Sequence, residues 1–193
     1  MSSNIKYLRS FLSKLTHISE ESWESLAPHL KEEKIFKGHF LFRKGSSFNQ
    51  VAFITQGLLK KYYTLKDDKE FIKGFSDKNN FVAPYLSLLT TEPIKFSVEA
   101  LEDTELILID YNIFKDLMNN DECWQKVGRL LAEITFINRE KREEQLLTMS
   151  ASERYQVFLK TYPTLHSRVS QYNIASYIGI TAAALSRLSK NSL

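Results

Sequence analysis

The spacing of hydrophobic residues changes twice along this chain. Near the N-terminus, Ile5, Leu8, Phe11 and Leu15 recur three or four apart, with Lys6, Arg9 and Lys14 between them. That spacing predicts an amphipathic helix over 4–16. "SEESWESLAPHL" predicts a second helix, with Ser19 as N-cap and Glu20 and Glu21 at the positive end of its dipole. From Lys34 to Asp110 the pattern becomes that of strands. "KIFKGHFLFRKG", "QVAFITQGLLKKYYTL", "KEFIKGFS" and "KFSVEALEDTELILID" are rich in Phe, Ile, Val and Tyr, and Gly38, Gly45, Gly57, Gly74 and Asp67-Asp68 punctuate them. Short strands at regular spacing predict an antiparallel barrel or sandwich. "YLSLLTTEP", at 85–93, interrupts it as a short helix or turn.

After Asp110 the helical spacing returns. "NIFKDLMNN" is a short helix, and Glu122 to about Leu147 is one long one without Pro and with a single Gly. Along it, Trp124, Val127, Leu131, Ile134 and Asn138 fall three and four apart, as in an a/d seam. An Asn at such a position fixes register between two chains, so the seam predicts a dimer helix. A helix packed on its own domain shows the same spacing. "SERYQVFLKTY" predicts a further helix ended by Pro163, and "TLHSRVS" a short extended connector. The last stretch, "NIASYIGITAAALSRLSK", places apolar residues on both sides of Gly179. It predicts two short helices meeting at a tight turn that needs positive φ. Ala175 lets the second helix cross closely. Ile174, Ile178, Ile180, Leu185 and Leu188 form the shared core, and Thr181 caps the second helix. A DNA-reading helix-turn-helix has this pattern, and so does an ordinary helical hairpin.

Charge separates those two readings in part. From Ser150 onward, five basic residues (Arg154, Lys160, Arg168, Arg187, Lys190) face one acidic residue, Glu153. The other 149 residues carry 21 basic and 22 acidic ones. The C-terminal fifth is therefore the basic part, which suits a polyanionic partner. At 193 residues and 43% hydrophobic, the chain is long enough for one domain or two small ones. The single cysteine, Cys123, excludes an intrachain disulfide and any cluster that needs four thiolates from one chain, so no iron–sulfur cofactor is expected. It suits a reducing cytoplasm. His17, His29, His39 and His166 are scattered and suggest no haem or metal site. No signal peptide or membrane span is read. No P-loop, H-E-x-x-H or C-x-x-C motif occurs, so no catalytic residue is assigned and an enzyme is not expected.

The order of parts, and the stretches "SQYNIASYIGITAAALSRLSK" at 170–190, "ECWQKVGRLLAEITFINREKREEQLL" at 122–147 and "FKGHFLFRKGSSFNQVAFITQGLLKKYY" at 36–63, resemble the Crp/Fnr family of bacterial transcription regulators. The resemblance implies an α+β fold. An antiparallel β-roll effector domain (a double-stranded β-helix, jelly-roll-like) with flanking helices occupies 1–121. A dimerisation helix occupies 122–148, and a winged-helix-like helix-turn-helix 149–193. Family members that bind cyclic nucleotides use a Gly-Glu pair at a helix start and an Arg-Ser or Arg-Thr pair about ten residues on, gripping phosphate and ribose. The matching positions here are Ala83, Pro84, Ile94 and Lys95. Proline has no N–H to donate and isoleucine cannot pair with phosphate, so weak or no cyclic-nucleotide binding is expected. Tyr85, Lys95 and Phe96 either line a pocket for another small-molecule effector or pack the core.

The family resemblance places base readers early in the second helix and again one turn later. Ala182 and Ala183 fill the early positions and offer only apolar contact, as to a thymine methyl. Ser186 and Arg187 follow, with Arg187 the candidate for a bidentate contact to guanine. Thr181, Ser170, Gln171, Ser189 and Lys190 are expected at phosphates. The sequence stops at Leu193, three residues after Lys190, so any wing is expected from the segment before Gln171. The expected partners are double-stranded DNA and a second copy of the chain, with RNA polymerase and an unassigned effector as further candidates, and no membrane. The competing reading is a dimeric sensing or interaction module with weak or vestigial DNA binding.

Overall fold

The computed structural model describes residues 2–190. Two helices come first, α1 (Ser3–Leu12) and α2 (Glu20–Leu26). Ser2 and Ser19 cap them by accepting the backbone N–H groups of Ile5 and Ser22. Eight strands follow: β1 (Leu30–Ile35), β2 (Phe40–Phe42), β3 (Gln50–Gln56), β4 (Leu58–Thr64), β5 (Glu70–Asp77), β6 (Phe81–Val82), β7 (Ser97–Ala100) and β8 (Thr104–Asp110). α3 (Tyr85–Thr90) lies between β6 and β7. The strands form two four-stranded sheets, in the orders β1-β8-β3-β6 and β2-β7-β4-β5. The ladders β1–β8, β3–β8, β3–β6 and β2–β7 are antiparallel. This is the expected β-roll.

Period-two alternation sorts the core. Phe53, Ile107 and Ile109 turn to one face of the first sheet, where α1, α2, α4 (Tyr111–Asn120) and the start of α5 (Glu122–Thr148) cover them. Ala52, Ile54, Leu106 and Leu108 turn to the other face and are equally buried. Trp124 is 0% and Val127 1% exposed, in one cluster with Leu8, Leu12, Trp23 and Leu26. The Trp124 indole N–H donates to the Ser22 carbonyl at 3.0 Å. These two residues were expected on the dimer seam; the structure instead spends them on the chain's own core. Full burial of side chains this large contributes roughly 1.5–3 kcal/mol each, which no exposed seam in a single chain supplies.

The chain divides into two compact units, Met1–Lys61 with Phe75–Ile134, and Tyr62–Gly74 with Thr135–Leu193. The boundary between the two units falls within the long helix α5. Its first half belongs to the first unit and its second half to the other. The second unit continues with α6 (Ala151–Thr161), α7 (Gln171–Ile178) and α8 (Ala182–Lys190). Its core is Tyr155, Phe158, Leu165, Val169, Ile174, Ala175, Tyr177, Ile178 and Leu185, with the Phe158, Tyr162 and Tyr177 rings 5.5–6.0 Å apart. The segment before α7 is not extended. It closes a 3-10 turn at Leu165–Ser167, pinned by the buried Leu165 and by a hydrogen bond from Ser167 Oγ to the Thr164 carbonyl. Among the described residues no strand follows Asp110, so this segment forms no β wing. Among the same residues no helix is long and apolar enough to cross a membrane.

Candidate nucleic-acid interface

Ser170 starts α7: its hydroxyl accepts the Asn173 N–H at 3.2 Å. Ile174, Ala175, Tyr177 and Ile178 are buried, while Gln171 and Tyr172 face solvent. Gly179 ends the helix at φ +84°, the left-handed conformation that glycine adopts without penalty. Its N–H donates to the carbonyls of Ala175 and Ser176, and the Ile180 N–H donates to Ala175 at 3.0 Å. This pair of bonds is a Schellman closure. Two residues later Thr181 Oγ1 accepts the Ala184 N–H at 3.2 Å and so caps α8. α7 and α8 thus meet at the glycine that the sequence marked.

α8 buries Leu185 and half-buries Leu188. Thr181, Ala182, Ala183, Arg187 and Lys190 are exposed, and Ser186 and Ser189 are half-exposed. Ala183, Arg187 and Lys190 are spaced four and three apart, so they share one solvent-facing stripe. Ser189 donates its hydroxyl proton to the Ser186 carbonyl at 3.1 Å, within its own helix.

Three further side chains fix this pair of helices; sequence patterning gave none of them this role, and Arg154 entered only as one of the five basic residues. Ser176, in the middle of α7, donates to the Glu70 carbonyl at 2.6 Å and accepts the Ile72 N–H at 3.0 Å. Both groups lie on β5, the outer strand of its sheet, so one hydroxyl covers two edge positions. Arg142, from the second half of α5, stacks over the Tyr177 ring at 3.9 Å and donates to the Tyr177 carbonyl. Arg154, from α6, donates to the Ile178 carbonyl at 2.7 Å and to the Met149 carbonyl at 2.5 Å. Burial pulls the Arg142 guanidinium below the usual arginine range.

The positions expected to hold an effector look different. Pro84 immediately precedes α3, a helix of six residues, and is buried; Ala83 and Tyr85 are half-buried. Ile94 is buried, and its carbonyl accepts the Gly45 N–H at 2.8 Å. Phe96 packs edge-on against Phe42 with centroids 5.3 Å apart. Lys95 points outward and pairs with Glu92. Of the four matched positions only Lys95 carries a charge, and it pairs with Glu92 and offers no bidentate grip, so these residues do not fit a cyclic nucleotide held in the usual manner. On α5, Leu131 is half-buried, and Ile134 and Asn138 are exposed. Ile137 and Phe136, not marked on the seam, are exposed too. Ile137 follows Ile134 by three residues and extends its face.

Comparison with known proteins places this architecture. The cyclic nucleotide-binding domain family matches residues 32–121. Transcriptional activator protein anr of Pseudomonas aeruginosa is 27% identical over 188 residues, spanning 89% of this chain and 74% of that protein. FixK2 from Bradyrhizobium japonicum superposes with a TM-score of 0.71 at 20% identity, over 84% of this chain and 83% of that one. A chain from Eubacterium rectale assigned to the Crp/Fnr family of transcriptional regulators gives 0.72 at 16% identity, over 90% and 83%. At such identities the two structures establish the fold.

Proposed function

Because the chain belongs to the Crp/Fnr family, we propose that it is a bacterial transcription regulator that binds double-stranded DNA as a homodimer, with α8 in the major groove. The observation that carries this reading is the α7–α8 pair. A Schellman turn at Gly179 sets the second helix, and that helix presents Ala183, Arg187 and Lys190 on one exposed face. Arg187 reads guanine through its two-pronged guanidinium. Ala182 and Ala183 allow close approach and touch thymine methyls, and Ser186 reaches an adjacent base edge. Thr181, Ser170, Gln171, Ser189 and Lys190 hold phosphates and set orientation. With so few polar readers, DNA shape supplies part of the selectivity. The β-roll keeps its fold and does not bind cyclic nucleotide in the usual way, since Pro84 and Ile94 stand where a helix N–H and a phosphate-binding arginine are needed. A regulator of this kind works in the cytoplasm and catalyses no reaction.

The test is selection from a random duplex pool at moderate salt, with Arg187→Ala in parallel. The expected result is a palindromic site with half-sites about 10 base pairs apart, the spacing of two recognition helices in a symmetric dimer. Arg187→Ala is expected to lose about 1–3 kcal/mol of discrimination at one position of each half-site. Enrichment no better than salt-sensitive background would sink the reading and favour a sensing or interaction module with vestigial DNA binding.

A further inference from the structure

The last turn of any helix leaves carbonyls that its own N–H groups do not reach. In α7 the accounting closes. Ala175 and Ser176 receive the N–H groups of Gly179 and Ile180. The next two carbonyls, of Tyr177 and Ile178, receive guanidinium groups from Arg142 and Arg154. Two cations therefore meet the negative end of the helix dipole, five and four residues ahead of the first residue of α8.

The two arginines are not equivalent. Arg154 lies on α6 and also grips Met149, at the junction between α5 and α6. It holds that junction together. Arg142 lies six residues before the end of α5 and reaches α7 directly, bypassing the junction. Its guanidinium carbon lies over the Tyr177 ring, 3.9 Å from the centroid, and that ring packs against Phe158 and Tyr162. A half-buried arginine held by both stacking and a hydrogen bond fixes direction as well as distance. We propose that Arg142 is a positioning residue for DNA reading: it locks the turn that launches α8 to the body of α5, and so sets where the recognition helix stands. This rests on α8 being the DNA reader.

The experiment measures position apart from stability. Duplexes carry the selected half-sites at separations varied one base pair at a time. The full chain is compared with Arg142→Lys, Arg142→Gln and, as control, Arg139→Gln, an exposed arginine on the same helix. Wild type and the control are expected to show one sharp optimum. Both Arg142 variants are expected to lose roughly tenfold at that optimum, the size of one charge-assisted hydrogen bond, and to bind neighbouring separations almost as well. Lysine keeps the charge and lacks the stacking plane, so rescue by Arg142→Lys overturns the proposal in favour of charge alone. A second readout needs no DNA. Spin labels at Glu144→Cys and Ala182→Cys, in a Cys123→Ser background diluted with unlabelled chain, report the distance from α5 to α8. That distribution is expected to widen in Arg142→Gln. A sharp optimum together with an unchanged distribution overturns the proposal. Absence of any spacing optimum in wild type, with the distribution still widening in the variant, defeats DNA reading and leaves the α5–α8 lock standing.

Discussion

A Cβ added at Gly57 would lie 2.4 Å from Thr104 Oγ1, 2.6 Å from Thr104 Cα and 2.7 Å from the Asp103 carbonyl, on a backbone at φ +102°. Thr104 cannot move aside. It is fully buried, its Oγ1 accepts the Leu58 N–H at 3.2 Å, and it donates to the Glu102 carbonyl at 2.9 Å. Gly57→Ala therefore combines backbone strain with overpacking and is expected to cost about 3–5 kcal/mol, read as a fall in the urea midpoint. Gly45→Ala is the comparison. Its φ is +79° but nothing lies within 4 Å, so strain alone acts, about 1–2 kcal/mol. Equal losses at the two sites would show that Thr104 yields. Sequence marks both glycines as strand punctuation and cannot rank them, because the rank depends on a residue 47 positions away. Gly179 was legible for a local reason: apolar residues at helical spacing on both sides leave a tight turn as the only connection. Arg142 was illegible for the converse reason. Within "NREKREEQLL" it is one charge among many, and only the fold brings Tyr177 beneath it.

Among the elements, α6 has the most complete start. Ser150 Oγ accepts the Glu153 N–H at 3.3 Å, and Glu153 Oε2 accepts both the Ser150 N–H and its hydroxyl at 2.7 Å. This is a capping box. The Ser150 hydroxyl, then its backbone N–H, hold the Glu153 carboxyl below its ordinary value of 4.5. A carboxylate depressed on folding stabilises the folded state fully above its unfolded value and loses that contribution as pH falls through the folded one. Urea midpoints of wild type and Glu153→Gln are therefore expected to differ at neutral pH and to converge below pH 4.5. A gap that persists into acid would mean that the charge contributes nothing. α5 shows what element-level reading cannot do. Its length and limits were legible, since Glu122 to Thr148 lacks proline throughout. Its faces were not. Trp124, Val127, Leu131 and Ile134 share one spacing, yet the first two are core and the last is exposed. Burial against the same chain and burial against a partner demand the same apolar pattern. The β-roll was legible as an all-β block, while its two sheet orders depend on pairings such as β1 with β8 that lie far apart in sequence.

For the whole molecule, the exposed stretch of α5 becomes the deciding surface. Ile134 and Ile137 are 45% and 48% exposed, on one face with Asn138 beside them. Branched apolar side chains in water on a long helix gain by pairing with their own copy, because a two-fold axis sets the same face against itself. The seam proposed for the dimer therefore starts near Ile134, about three turns beyond the position that spacing alone suggested. Introducing Ile134→Glu with Ile137→Glu sets like charges across that axis while leaving the chain's own core untouched. Sedimentation is expected to show wild type as a dimer and the double variant as a monomer at micromolar concentration. The thermal midpoint of the dilute variant is expected to match that of dilute wild type, since neither residue is buried within one chain. DNA affinity is expected to fall much further than any single reader substitution achieves. A dimer gains the second half-site at an effective concentration that an isolated recognition helix lacks, and joining two sites raises affinity by roughly 10²–10⁴. A variant that still sediments as a dimer would move the interface off α5. A variant that is monomeric yet binds the palindrome as tightly as wild type would show that each α8 reads alone, and would overturn the proposal that so sparse a set of base readers needs two half-sites.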